Sequence, residues 1–289
     1  MEQILGDADR ARMYLADLDF HFSRALGQNF LLDDGWNRHI AECAGVEEND
    51  NVLEIGPGAG TLTCALARCG ANVLAVEIDR TLETVLTRML EPWPNAKVLY
   101  GDIMKQDIAV LADEHFGKGA PYSVVSNLPY AIAAELLPKL ACMERAPERV
   151  IAMVQREAAE RMCAGPGEKN WCALAARMQY FNSMNVLDIL PAHAFTPNAH
   201  VESALIRADR YLPEERPAQP KDENMFLRTV DAAFAMRRKT MANNLTMAFG
   251  IPREKALAAL EAAGQSATVR GEVLTLAELA DVADALTEE

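Results

Sequence analysis

No stretch of the 289-residue sequence approaches the ~20 uninterrupted apolar residues that a membrane-spanning helix requires. The first eighteen residues carry Glu2, Asp7, Asp9, Arg10, Arg12 and Asp17, which leaves no apolar centre for a secretory signal. These two absences imply a soluble, cytoplasmic protein. Cysteine is scattered, at positions 43, 64, 69, 142, 163 and 172, without a C-x-x-C pair. Most of these residues lie in segments of helical pattern, where a free thiol serves as a small hydrophobe. The five histidines are equally dispersed. Neither a disulfide framework nor a metal site is therefore expected. Aromatic residues make up only 6% of a chain that is half hydrophobic, so the core must be mainly aliphatic. Basic residues are also short, 28 against 42 acidic, for a net charge of −14. That balance excludes a broad basic footprint of the kind that supplies most affinity for nucleic acid. Contact with phosphates would have to come from a local cluster of cations.

What is present is an alternation of short apolar runs and amphipathic stretches between about Asn51 and Asp209. Runs at 51–56, 71–77, 96–100, 122–126 and 149–154 read as buried strands. Segments 61–69, 81–90 and 131–143 show helical spacing. Strands alternating with helices predict a parallel sheet covered on both faces. Two later β-like stretches, 184–189 and 201–208, are expected to pair as an antiparallel edge. Three prolines in Tyr211-Leu-Pro-Glu-Glu-Arg-Pro-Ala-Gln-Pro220 mark a linker. Beyond it, 224–249, 252–263 and 276–286 are helical in pattern, with Gly250 and Pro252 as a stop-and-restart signal.

The segments with chemical potential stand at strand ends. Glu54-Ile-Gly-Pro-Gly-Ala-Gly60 closes the first strand and opens a helix. Glycines there permit a tight turn and close approach to a ligand, although the G-x-G-x-G spacing differs from the dinucleotide fingerprint. Glu77 closes the second strand, where a carboxylate can accept hydrogen bonds from ribose hydroxyls. Asp102 follows the third strand and can accept from an adenine amine. Three polar strand ends in succession indicate a cofactor crevice without saying which cofactor.

Asn127-Leu-Pro-Tyr130 ends the fourth strand. The N6 amine of adenine is a poor nucleophile because its lone pair is delocalised into the ring. Acceptors such as the Asn127 amide oxygen and the Leu128 carbonyl can orient its N–H groups and draw the lone pair out of conjugation. Pro129 biases Leu128 toward extended backbone and has no N–H of its own. Tyr130 offers a flat face on which a base can stack.

Taken together, these segments resemble the bacterial small-subunit (16S) ribosomal RNA adenine-N6 dimethyltransferases. The resemblance begins at Phe22-Ser-Arg-Ala-Leu-Gly-Gln-Asn-Phe-Leu31 and runs almost to the end of the chain. It rests on G-Q-N-F-L, V-L-E-I-G-P-G, V-E-I-D and N-L-P-Y in that order. Further matches are Gln155-Arg-Glu with Ala164-Gly-Pro166, Ala194-Phe-Thr-Pro197 before Val201-Glu-Ser203, and Ala233-Phe-Ala-Met-Arg-Arg-Lys-Thr240 with Asn243-Asn-Leu245. It implies an α/β fold, a doubly wound Rossmann-like class I methyltransferase sheet with a small C-terminal all-helical domain. The implied divisions are an N-terminal extension over 1–20, a catalytic domain over 21–210, a linker over 211–222 and a helical RNA-binding domain over 223–289.

By the same resemblance, Asn29, Leu31, Gly56, Glu77, Asp102 and Asn127 would contact S-adenosylmethionine, with Gln28 and Gly58 as neighbours. Asn127, Leu128, Pro129, Tyr130 and Phe195 would form the catalytic pocket. Asn127 and Leu128 would orient the amine there, while Tyr130 and Phe195 sandwich a flipped base. The family implies dimethylation of two adjacent adenosines in a hairpin loop near the 3′ end of small-subunit RNA, with release of S-adenosylhomocysteine. The partner would be that RNA or the assembling small subunit, bound by a monomer. Arg237, Arg238 and Lys239 are the leading cationic cluster, with Arg228, Arg156, Arg161, Lys169 and Arg177 as further candidates. The sequence departs from the family at Trp171-Cys172 and at Pro197-Asn-Ala-His200, both near where RNA would sit. Two rival readings share much of this sequence pattern. One is a large-subunit adenine methyltransferase of the antibiotic-resistance type, and the other a non-catalytic RNA-binding assembly factor.

Overall fold

The computed structural model describes residues 29–287 together with Met13 and Asp17. The expected extension over 1–20 and the candidate Gln28 lie outside the described residues, apart from those two positions. The described residues form two compact units, one comprising 29–159 with 185–210 and the other 160–184 with 211–287. The stretch 160–184, which the sequence reading groups with the first domain, packs with the C-terminal helices.

The first unit is built on a sheet whose strands are β1 (Asn51–Ile55), β2 (Asn72–Glu77), β3 (Ala96–Tyr100), β4 (Ser123–Asn127), β5 (Arg149–Gln155), β6 (Asn182–Leu190) and β7 (Ser203–Arg210). Their order across the sheet is β3-β2-β1-β4-β5-β7-β6. The first five pair in parallel, and β7 runs antiparallel to β5, with Gln155 opposite Ser203. Strand order reverses between β1 and β4, so the carboxyl ends of these two neighbours open a crevice there. Both faces are covered, which is why β1, β4 and β5 consist of nearly continuous buried Val, Leu, Ile, Ala and Met.

Helix α1 (Asp34–Ala44) starts on Asp33, whose carboxylate accepts from the Trp36 N–H at 3.0 Å. It stops at Gly45, which adopts the left-handed conformation at φ 61°. Its inward face carries Asn37, Ile40, Ala41 and Ala44, one polar residue on an otherwise apolar stripe. Helix α2 (Thr61–Arg68) follows the glycine turn and is buried through Ala67. Gly56, Gly58 and Gly60 all have positive φ, at 71°, 56° and 81°. At Gly58 a Cβ would also stand 2.8 Å from the Phe30 ring, so glycine is needed there on two counts.

In the second unit the reading of one helical stretch over 224–249 is corrected. The structure has two helices, Glu223–Ala235 and Met241–Phe249, broken over 236–240. Gly271 lies so close to the first helix that a Cβ there would fall 2.3 Å from the Ala233 carbonyl oxygen. The Asn244 side-chain amide donates to that same carbonyl at 3.1 Å. A partner from beyond the break thus serves a carbonyl of the last helical turn, which lets the chain turn without glycine or proline. Trp171 belongs to this unit and is fully buried, edge-on to Phe234 at 5.9 Å between ring centroids. The departure at Trp171 is a core packing feature.

Candidate active site

At the carboxyl ends of β1, β2 and β4 lies a cavity of about 220 Å³. Its wall brings together Asn29, Leu31, Gly56, Gly58, Glu77, Asp102, Asn127, Leu128, Pro129 and Tyr130. Phe195 is not on that wall. It is fully buried in the aliphatic core with Leu31, Ile40 and Leu205, next to a backbone bridge in which Phe30 and Thr196 exchange two hydrogen bonds of 2.8 Å. Arg237, Arg238 and Lys239 lie in the second unit.

Each wall residue is held by its own element. Glu77 ends β2, and its two carboxylate oxygens accept from the Asp79 N–H at 2.8 Å and the Gly58 N–H at 3.1 Å. The second bond ties β2 to the glycine turn. Burial raises the Glu77 pKa from its ordinary value, with those backbone N–H groups acting the other way. Asp102 follows β3 and caps a short 3₁₀ turn, accepting from the Met104 N–H at 3.0 Å. Asn127 ends β4, and its Nδ2 donates to the Asn29 carbonyl at 3.3 Å. That bond presents Oδ1 as the acceptor end of the amide. Tyr130 opens the next helix (Tyr130–Cys142), and its hydroxyl lies 2.5 Å from Oγ of Ser203 on β7. Ser203 is fully buried, so the phenol is anchored at its far end while the ring borders the cavity.

Three further wall residues escaped the sequence reading as site residues. Asn37 and Thr61 both donate to the Leu31 carbonyl, at 2.9 and 2.8 Å, and so pin the 29–31 segment over the cavity. The signal for Asn37 was available, an amide on the buried stripe of an amphipathic helix. Glu54 is the third, inside a strand run that reads as core, with one carboxyl oxygen lacking a partner. Among the described residues no group of His, Cys, Asp and Glu could hold a metal ion.

Residues 19–280 match the sequence family described as ribosomal RNA adenine dimethylase. The chain belongs to this family. Among curated relatives, ribosomal RNA small subunit methyltransferase A of Ligilactobacillus salivarius is 37% identical over 287 residues, covering 98% of this chain and 96% of the relative. The protein of the same name from Streptococcus pneumoniae serotype 2 is 40% identical over 285 residues, covering 98% of both chains. Two solved structures share the fold of this dimethylase-family chain. The 23S rRNA methyltransferase ErmE superposes with a TM-score of 0.70 at 24% identity, over 90% of this chain and all of that one. A dimethyladenosine transferase from Plasmodium falciparum gives a TM-score of 0.70 at 21% identity, over 86% of this chain and 94% of its own length. The family's Rossmann-like α/β sheet is therefore the fold seen here.

Proposed function

We propose that this chain uses S-adenosylmethionine to dimethylate N6 of two adjacent adenosines in the 3′-terminal hairpin loop of small-subunit ribosomal RNA, acting in the cytoplasm during ribosome assembly. The observation that carries the reading is the placement of Asn127-Leu-Pro-Tyr130 on the rim of a cavity floored by the glycine turn, in a member of this family. The residues present suit the cofactor. The wall offers carboxyl groups at the ends of three parallel strands, and the glycine turn leaves no Cβ between the backbone and a ligand.

When bound, S-adenosylmethionine supplies an electrophilic methyl group on a sulfonium. Asn29, Leu31, Gly56, Glu77, Asp102 and Asn127 hold it, with Gly58 and Gln28 beside them. Glu77 accepts from the ribose hydroxyls and Asp102 from the adenine amine. Asn127 Oδ1 and the Leu128 carbonyl accept from the N–H groups of the target amine and turn its lone pair toward the methyl. Pro129 keeps the Leu128 carbonyl in extended geometry. No residue is required as a strong base, because the amine gives its proton to solvent after attack. Positioning and alignment supply much of the acceleration. Tyr130 is the stacking platform for the flipped base, contributing roughly 1–3 kcal/mol. Phe195, fully buried, presents no ring face to a base in this conformation.

RNA is held by the cluster at 237–239. Arg237 is engaged by Glu272 at 2.9 Å and by the Lys169 carbonyl at 3.0 Å, whereas Arg238 and Lys239 are exposed and make no ion pair with the described residues. The latter two are the phosphate contacts. Expression of this chain in a bacterial strain whose small-subunit RNA lacks dimethyladenosine tests the reading. Mass spectrometry of the RNA should then show dimethyladenosine in small-subunit RNA. Its appearance in large-subunit RNA instead would replace the small-subunit reading, and its absence from both would leave a binding role without catalysis.

A further inference from the structure

A base stacks on the face of an aromatic ring, and that face needs no hydroxyl. Position 130 nevertheless carries tyrosine, with its hydroxyl 2.5 Å from Oγ of Ser203. Ser203 is itself an unusual choice for its place. It is fully buried at the start of β7, in a run with Ala204, Leu205 and Ile206, and is not on the cavity wall. Positions of that kind are ordinarily filled by apolar residues. A buried hydroxyl is costly unless it is hydrogen-bonded, and the Tyr130 hydroxyl is the partner that the geometry provides.

Tyr130 needs a fixed tip. It is the first residue of its helix, follows Pro129, and is half-buried where its ring borders the cavity. A ring bordered by open space on one side turns about its side-chain bonds unless something holds its far end. The hydrogen bond supplies that hold and refers the ring to the sheet. Asn127 closes β4 opposite Met153 of β5, and Gln155 of β5 stands opposite Ser203 of β7. The amine acceptors and the anchor of the ring therefore belong to three adjoining strands of one sheet. Burial raises the Tyr130 phenol pKa, with the Ser203 hydrogen bond acting the other way, so the phenol stays protonated at neutral pH. It is a held group, not a proton acceptor.

We propose that Ser203 is a positioning residue for methyl transfer. By holding the Tyr130 hydroxyl it sets the plane in which the target adenine stacks, and with it the angle at which N6 meets the Asn127 and Leu128 acceptors. The inference rests on the reading of Asn127-Leu-Pro-Tyr130 as the adenine pocket. A displacement of about 1 Å at a reacting group can lower a rate by roughly a hundredfold, so a small tilt of the platform has a measurable effect. Ser203→Ala removes the anchor and adds no bulk to the core. Tyr130→Phe removes the other half of the same bond and keeps the ring. Both changes act on one degree of freedom, the tilt of the ring.

Single-turnover methylation of small subunits lacking the modification, with protein in excess and S-adenosylmethionine varied, separates the maximal rate from cofactor affinity. Ser203→Ala is expected to lower the maximal rate roughly three- to tenfold, the worth of one hydrogen bond held in the productive state. The S-adenosylmethionine concentration at half-maximal rate should stay at the wild-type value. Tyr130→Phe should show the same loss, and the double variant no more than either single one, because both remove one interaction. An unchanged maximal rate in Ser203→Ala would overturn the proposal. So would a double variant whose loss is the product of the two single losses, since Ser203 would then act other than through the phenol. A half-saturating cofactor concentration that rises in step with the fall in rate would equally contradict it, because the serine would then merely support the fold. No methylation by the wild-type protein would instead remove the adenine-pocket reading on which the proposal rests.

Discussion

Asn127 shows how much one side chain can be asked to do. Its Nδ2 is committed to the Asn29 carbonyl, so a single amide both ties the 29–31 segment to β4 and points an acceptor into the cavity. Removing one preorganised hydrogen-bonding group from a reacting centre typically costs roughly 10²–10³ in rate. Asn127→Ala is therefore expected to lower single-turnover methylation by at least about that factor, with particle binding in a filter assay largely retained. Full activity in this variant would contradict the assigned role. Asn127, Glu77 and Asp102 were legible in the sequence because each ends or closely follows a recognisable strand, and strand ends of this topology converge. Glu54 was less legible, since one acid inside an apolar strand gives no sign of whether its carboxyl meets a partner. Phe195 was named by the family resemblance alone. In this conformation it fills the core beside Ile40.

At the scale of elements, legibility followed burial. β1, β2, β4 and β5 were readable because strands buried on both faces need continuous apolar runs; β3, half-exposed, was readable from its apolar residues alone, and all five start and end within about two residues of the runs read from the sequence. The break between the helices at 223–235 and 241–249 was not readable, because the end of the first helix is met by residues far along the chain, Gly271 among them, more than thirty residues downstream. That contact makes a prediction. Gly271→Ala would place a methyl against the Ala233 backbone, and forcing extra volume into a packed contact typically costs roughly 1–3 kcal/mol. Thermal unfolding of the variant should begin at lower temperature than in the wild type. Binding of S-adenosylmethionine, whose proposed site is lined wholly by residues of the other unit, should persist at low temperature. An unchanged unfolding curve would show that the contact at Gly271 tolerates the added methyl.

For the molecule as a whole, the central tension is a net charge of −14 in a chain proposed to bind RNA. Much of the positive charge is already spent internally. Arg177 pairs with Asp231, Arg156 with Glu202, and Arg237 with Glu272. Replacing Arg238 and Lys239 together by glutamate is expected to weaken small-subunit binding uniformly. It should also lower the slope of log affinity against log salt by roughly 1.5, as two lost phosphate contacts imply. A slope unchanged from wild type would move the RNA contact elsewhere. The most direct test of the whole account uses purified protein, methyl-labelled S-adenosylmethionine and small subunits lacking the modification, followed by digestion of the RNA and analysis of its 3′-terminal fragment. The account predicts label in dimethyladenosine confined to that fragment, saturating at four methyl groups per subunit. Subunits that bind the protein yet take up no label, or label lying outside that fragment, would contradict it.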